Sequence, residues 1–164
     1  MHLYFLRHGE AAFNPLQDSD RTLTQTGIEN SEQVASYCAA LGIGFSFIYS
    51  SPIKRAVQTA EIIAKKYPHL TIRTTEHLTP ESDPRNLFAD LKHHTVDSRI
   101  LLVTHEPFAS SCISQLIGTS EQSRITMKTN SLAYVETDGS VHRGAGRLIW
   151  LSTPDIMKSI LAAK

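Results

Sequence analysis

A chain of 164 residues is long enough to bury one sizeable core without disulfides or a metal as staples. With 41% apolar and 20% charged residues it sits near the average of folded globular chains, which excludes disordered and collagen-like classes. Sixteen Lys plus Arg balance sixteen Asp plus Glu, so no global field draws the chain to nucleic acid or an anionic membrane, and any anion site must be local.

The start, Met1-His2-Leu3-Tyr4-Phe5-Leu6, leads straight into charge, so neither a signal peptide nor a spanning helix is expected and the chain is placed in the cytoplasm. Leu3 to Leu6 predicts a short buried strand ending at Arg7-His8-Gly9-Glu10, followed by a polar loop to about Thr24. Thr24 is the expected N-cap of a first helix whose inner face carries Ile28, Ser31, Ala35, Cys38 and Leu41, with Gly42 as its stop. Phe45 to Tyr49 predicts a second strand, and Ser50-Ser51-Pro52 predicts the cap of a second helix with Pro at its first position.

Thr71 to Thr75 reads as a weaker strand, followed by a loop to Pro84 and a short helix with Leu87, Phe88 and Leu91. Ile100 to Val103 is the clearest buried strand; it ends at Thr104-His105-Glu106-Pro107, and a helix with Phe108, Cys112, Ile113 and Leu116 runs to Gly118. Leu132 to Glu136, the Asp138-Gly139 turn and Leu148 to Leu151 predict a hairpin-type pair, and Pro154 to Ala163 a closing helix. Strands alternating with helices imply an α/β fold: a three-layer sandwich, a mostly parallel central sheet with helices on both faces.

Ligands of such folds bind beyond the carboxyl ends of the strands. Three strand ends carry Arg7-His8-Gly9, Ser50-Ser51-Pro52 with Arg55 one turn on, and His105. Two arginines supply fixed charge and forked donors that match phosphate oxygens. Beside them His8 is pushed toward its neutral, nucleophilic form, and Gly9 lets backbone and phosphate approach closely. The chemistry this predicts is phosphoryl transfer through a phosphorylated His8. Cys38 and Cys112 lack metal-ligand spacing and read as small buried hydrophobes, and His93-His94 as a solvated helix end. No cofactor or metal is implied, since Walker, dinucleotide and His-Glu-x-x-His patterns are absent.

The runs Leu6-Arg7-His8-Gly9-Glu10, Ser50-Ser51-Pro52-Ile53-Lys54-Arg55-Ala56-Val57-Gln58-Thr59-Ala60 and Val103-Thr104-His105-Glu106-Pro107 resemble the histidine phosphatase superfamily, the phosphoglycerate-mutase-like group. The short length and the Arg21-Thr22-Leu23-Thr24 stretch are similar to bacterial phosphohistidine phosphatases of the SixA type, although Thr22 stands where those show Pro. The resemblance implies one phosphatase domain over residues 1–164 with a short cap region over about 76–98. It implies His8 as nucleophile, Arg7, Arg55 and His105 as the rest of the phosphate pocket, and inorganic phosphate as product.

Arg21 either meets phosphate or pairs with Asp18 or Asp20, and Asn14, spaced as in mutase-type members, is a phosphate contact or a turn residue before Pro15. Ester-cleaving relatives take a general acid from the loop that here offers Glu81, favoured, or Asp83, which also reads as an N-cap before Pro84. The 49 residues between Arg55 and His105 leave a short cap and an open pocket. That suits a phosphohistidine carried by a protein such as a phosphotransfer domain. The alternatives are a small-molecule phosphomonoesterase for sugar or nucleotide phosphates with Glu81 as acid, and a non-catalytic phosphoprotein-binding module.

Overall fold

The computed structural model describes residues 1–13, 18–118 and 125–163. Six strands form one sheet: β1 (His2–Arg7), β2 (Phe47–Ser50), β3 (Ile72–Thr74), β4 (Arg99–Thr104), β5 (Leu132–Thr137) and β6 (Gly146–Ser152). Their order across the sheet is β3-β2-β4-β1-β5-β6. The first four are mutually parallel, β5 runs antiparallel to β1, and β6 pairs antiparallel with β5. The fold is the α/β sandwich expected from the strand and helix alternation.

Period-two alternation explains the two cores. Leu3 and Phe5 of β1, Ile100 and Leu102 of β4, and Ala133 and Val135 of β5 face one side. There they meet α3 (Pro84–Leu91) through Leu87, Phe88 and Leu91, and α4 (Phe108–Leu116) through Phe108, Cys112, Ile113 and Leu116. Tyr4, Leu6, Ile48, Leu101, Val103 and Leu132 face the other side, against α1 (Gln25–Ala40), α2 (Lys54–Ala64) and α5 (Pro154–Ala162). Both cysteines are free and buried, one in each core.

Several local expectations shift. Thr24 does cap α1, accepting from the Gly27 amide at 3.0 Å, but the helix buries Gly27, Ser31, Val34, Ala35, Tyr37 and Cys38. Ile28 is only half-buried and Leu41 exposed, because the Gly27 edge packs on the β1 loop. Pro52 does not open α2; the helix begins at Lys54 after an uncapped Ile53. His94 is not a solvated helix end: its Nε2 lies 3.0 Å from the Tyr49 hydroxyl and its ring packs on Phe47. A short 3-10 helix at Asp18–Asp20 and another at Glu76–Leu78 were not expected. Among the described residues, no helix is long and apolar enough to cross a membrane.

Candidate active site

Because β1, β2 and β4 are parallel neighbours, their carboxyl ends open on one edge of the sheet. Backbone bonds continue the ladders one step past each strand: the His8 amide donates to the Thr104 carbonyl at 2.9 Å, and Ser51 to Val103 at 2.9 Å. His8, Ser51 and His105 thereby hold fixed places beside one another, and Arg55, in the first turn of α2, reaches back over them.

The His8 ring sits between two partners of fixed role. Its Nδ1 lies 2.7 Å from the Gly9 carbonyl, which only accepts, so Nδ1 carries the proton. Its Nε2 lies 3.0 Å from the Arg55 Nε–H, which only donates, so Nε2 keeps its lone pair. Burial, with the Arg55, Arg7 and Arg21 charges adding to it, pushes the His8 pKa down to about 4, the Gly9 carbonyl opposing. The result is a neutral imidazole with its free electron pair on the arginine side.

The His105 ring lies 4.8 Å from that of His8, centroid to centroid, and is 1% exposed. Burial, then the neighbouring His8 and Arg55, pushes its pKa down to about 3. Neither ring nitrogen of His105 has a hydrogen-bond partner among the described residues, nor does the buried Nε of Arg7. A buried polar group left without a partner costs about 1–3 kcal/mol. The Arg7 Nε–H and the one N–H of a neutral His105, both without a partner beside His8 and Arg55, make an arrangement that accepts an anion.

The other expected site residues fare differently. Arg21 spends its guanidinium on the Ala12 carbonyl (2.7 Å), the Ala11 carbonyl (3.1 Å) and Asp18 (2.9 Å), so it clamps the loop and reaches His8 only as charge. Gly9 is required for packing. A Cβ there would stand 2.8 Å from the Gly27 carbonyl oxygen, and its amide already donates to Thr59 Oγ1 at 3.0 Å. Asp83 is spent as the N-cap of α3, accepting from the Arg85 amide at 2.9 Å and pairing with its guanidinium. Glu81 is exposed and lines an open groove of about 1030 Å³, which Pro107, Ser110 and Ser111 also line. Asn14 lies outside the described residues.

Three further residues border the site, of which the sequence offered only Asp18, as a candidate partner of Arg21. Asn130, with φ of 58°, donates its backbone amide to the Arg7 and His8 carbonyls (3.1 and 3.3 Å) and its Nδ2 to Ser31 Oγ at 2.9 Å, bracing the His8 backbone. Its tolerance for the left-handed region was the one available hint. Asp18 bridges Arg21 and Arg55. Glu106 is half-buried, accepts from Ser110 at 2.6 Å and has its other oxygen buried without a partner; burial raises its pKa. Among the described residues no group of three or more His, Cys, Asp or Glu side chains is placed to hold a metal.

Comparison with known proteins gives a consistent picture. Residues 3–80 match the family model of the histidine phosphatase superfamily (branch 1). An uncharacterized protein of Picosynechococcus sp. is 37% identical over 113 residues, 65% of this chain and 67% of that one. The phosphohistidine phosphatase SixA of Escherichia coli is 27% identical over 162 residues, 96% of this chain and 97% of that protein. The mitochondrial serine/threonine-protein phosphatase PGAM5 of Rattus norvegicus is 35% identical over 77 residues, but these make up only 27% of its length. A structure of the protein histidine phosphatase SixA complexed with tungstate superposes with a TM-score of 0.83 at 26% identity, covering 94% of this chain and 98% of that one.

Proposed function

The chain belongs to the histidine phosphatase superfamily and is a phosphatase; from that premise we propose that it removes phosphate from a phosphohistidine carried on a protein, by way of a phosphorylated His8. The observation that carries this reading is the lone pair held on His8 Nε2 between Gly9 and Arg55. A neutral nitrogen whose other side is fixed by a carbonyl is ready to attack without first losing a proton.

In the first step His8 Nε2 attacks phosphorus in line. The bond to the departing group breaks on the opposite side, while Arg7, Arg55 and His105 hold the equatorial oxygens. A departing imidazole leaves neutral once its other nitrogen carries a proton. An ester oxygen, in contrast, leaves as an alkoxide and needs an acid. In the second step water attacks the phosphoryl group on His8, and inorganic phosphate leaves with the imidazole restored.

The preference for phosphohistidine over esters is supported by the state of the cap. Asp83 is committed to Arg85 and to the helix end, and Glu81 stands exposed on an open groove. A short cap over about 76–98 leaves room for a phosphotransfer domain or a similar protein, whereas a sugar phosphate requires walls. This reading places the enzyme in the cytoplasm as one domain with no cofactor.

The decisive experiment compares phosphate release from a phosphohistidine-bearing protein and from a small phosphomonoester, with His8→Ala as control. Fast release from the first and an acid-labile phosphate trapped on His8 are expected. A reversed preference moves the enzyme to small-molecule phosphomonoesters with Glu81 as acid, and no covalent phosphate with either leaves a binding module.

A further inference from the structure

All three nitrogens of the Arg55 guanidinium are occupied by partners within the chain. Nε donates to His8 Nε2 at 3.0 Å, one terminal nitrogen donates to the Asp18 carbonyl at 2.8 Å, and the other to the Asp18 carboxylate at 3.0 Å. The second oxygen of that carboxylate accepts from Arg21 at 2.9 Å. One acidic side chain therefore spans two of the three arginines around the nucleophile.

Two consequences follow from elementary chemistry. First, the electron pair that His8 must give to phosphorus is the pair now accepting from Arg55, so the guanidinium has to leave Nε2 before the nitrogen–phosphorus bond forms. Second, the same guanidinium is tethered to Asp18 through both terminal nitrogens, so it cannot turn its fork to a phosphoryl group while keeping both tethers. The side chain of Arg55 is 6% exposed and has little freedom, whereas that of Asp18 is 63% exposed and can turn into water against few contacts. Arg21 and Arg55 hold the Asp18 carboxyl below the ordinary carboxylate range, so it is ionised throughout neutral pH.

We propose that Asp18 is an internal counter-anion of the phosphate pocket, competing with the phosphoryl group for Arg55 and thereby setting how tightly phosphate is held. The inference rests on the assignment of this pocket to phosphate. Exchange of one anion for another limits the change in net charge around His8 and His105 to about one unit. It also ties uncapping of Nε2 to arrival of a phosphoryl group, since one guanidinium controls both. A pocket under a short cap faces free phosphate in the surrounding solution, and an internal competitor lowers retention of that product.

The test is calorimetric titration of the purified full chain with inorganic phosphate, together with product inhibition of turnover. Asp18→Asn keeps shape and removes charge, so the phosphate Kd and the inhibition constant should both fall about threefold to tenfold, what one or two partly exposed ion pairs are worth. Asp18→Glu, which keeps the charge, should stay within about twofold of the wild type on the same grounds. A residue that merely oriented Arg55 for the ligand would move the constants the other way. Should Asp18→Asn prove poorly folded, Asp18→Ala makes the same prediction. Unchanged or weaker phosphate binding in the folded variant overturns the proposal. Failure of the wild-type chain to bind phosphate overturns the reading of the pocket and this inference with it.

Discussion

The protonation state of His8 gives the sharpest prediction. A histidine at its ordinary value of 6.5 is only about 9% neutral at pH 5.5, while one pushed down to about 4 is about 97% neutral. Since only the neutral ring attacks, ionisation of His8 should change the rate of phosphoenzyme formation by only a few per cent between pH 7.5 and 5.5, where an unperturbed histidine would cost about tenfold. Nitrogen-15 NMR of the imidazole reads this directly: the proton is expected on Nδ1, the bare nitrogen at Nε2, and no titration above pH 5. Arg55→Gln should raise the midpoint yet leave it below 6.5, because burial is the larger cause and the arginine the smaller. A midpoint near 6.5 in the wild-type protein, or a proton on Nε2, would refute the tautomer argument and with it the assignment of the nucleophilic atom.

Other outcomes are checked more simply. Both His8 and His105 have folded pKa values below the unfolded one, so the unfolded chain binds protons more tightly and stability falls as pH drops below 6.5. Each should contribute about 1.5 kcal/mol of loss between pH 6.5 and 5, read as a lower urea midpoint and flattened in His105→Ala. Gly27→Ala would put a Cβ 2.1 Å from the Glu10 carbonyl oxygen, backbone against backbone, and should cost about 1–3 kcal/mol in denaturant unfolding. Asn130→Ala removes the Nδ2 bond to Ser31 Oγ and asks alanine to hold φ of 58° at the residue whose backbone amide braces the Arg7 and His8 carbonyls; a loss of about 1–3 kcal/mol together with slower phosphate release is expected. Glu81→Gln and Glu106→Gln, assayed side by side, should leave phosphohistidine hydrolysis intact, and whichever lowers residual ester hydrolysis identifies the acid that esters use.

The sequence by itself determined the sandwich and the chemistry-bearing strand ends. The unbroken apolar runs Leu3 to Leu6 and Ile100 to Val103 mark strands buried on both faces, and such strands require helices above and below. Once those strands run parallel, Arg7, His8, Arg55 and His105 must fall on one edge. Only the tertiary structure decided the roles of the loop residues. Arg21 and Asp18 are three positions apart in a polar stretch that offers several pairings, and which one forms depends on where α2 delivers Arg55. Gly9 reads in the sequence as a phosphate neighbour, yet it is also small because the Gly27 carbonyl lies against it, as Gly27 is because the Glu10 backbone lies against it. Asn130 comes from the far side of the chain to hold His8. Local pattern records which face of an element is apolar, but contacts between distant polar groups depend on distances of a few ångströms, and the packed layers alone set those distances.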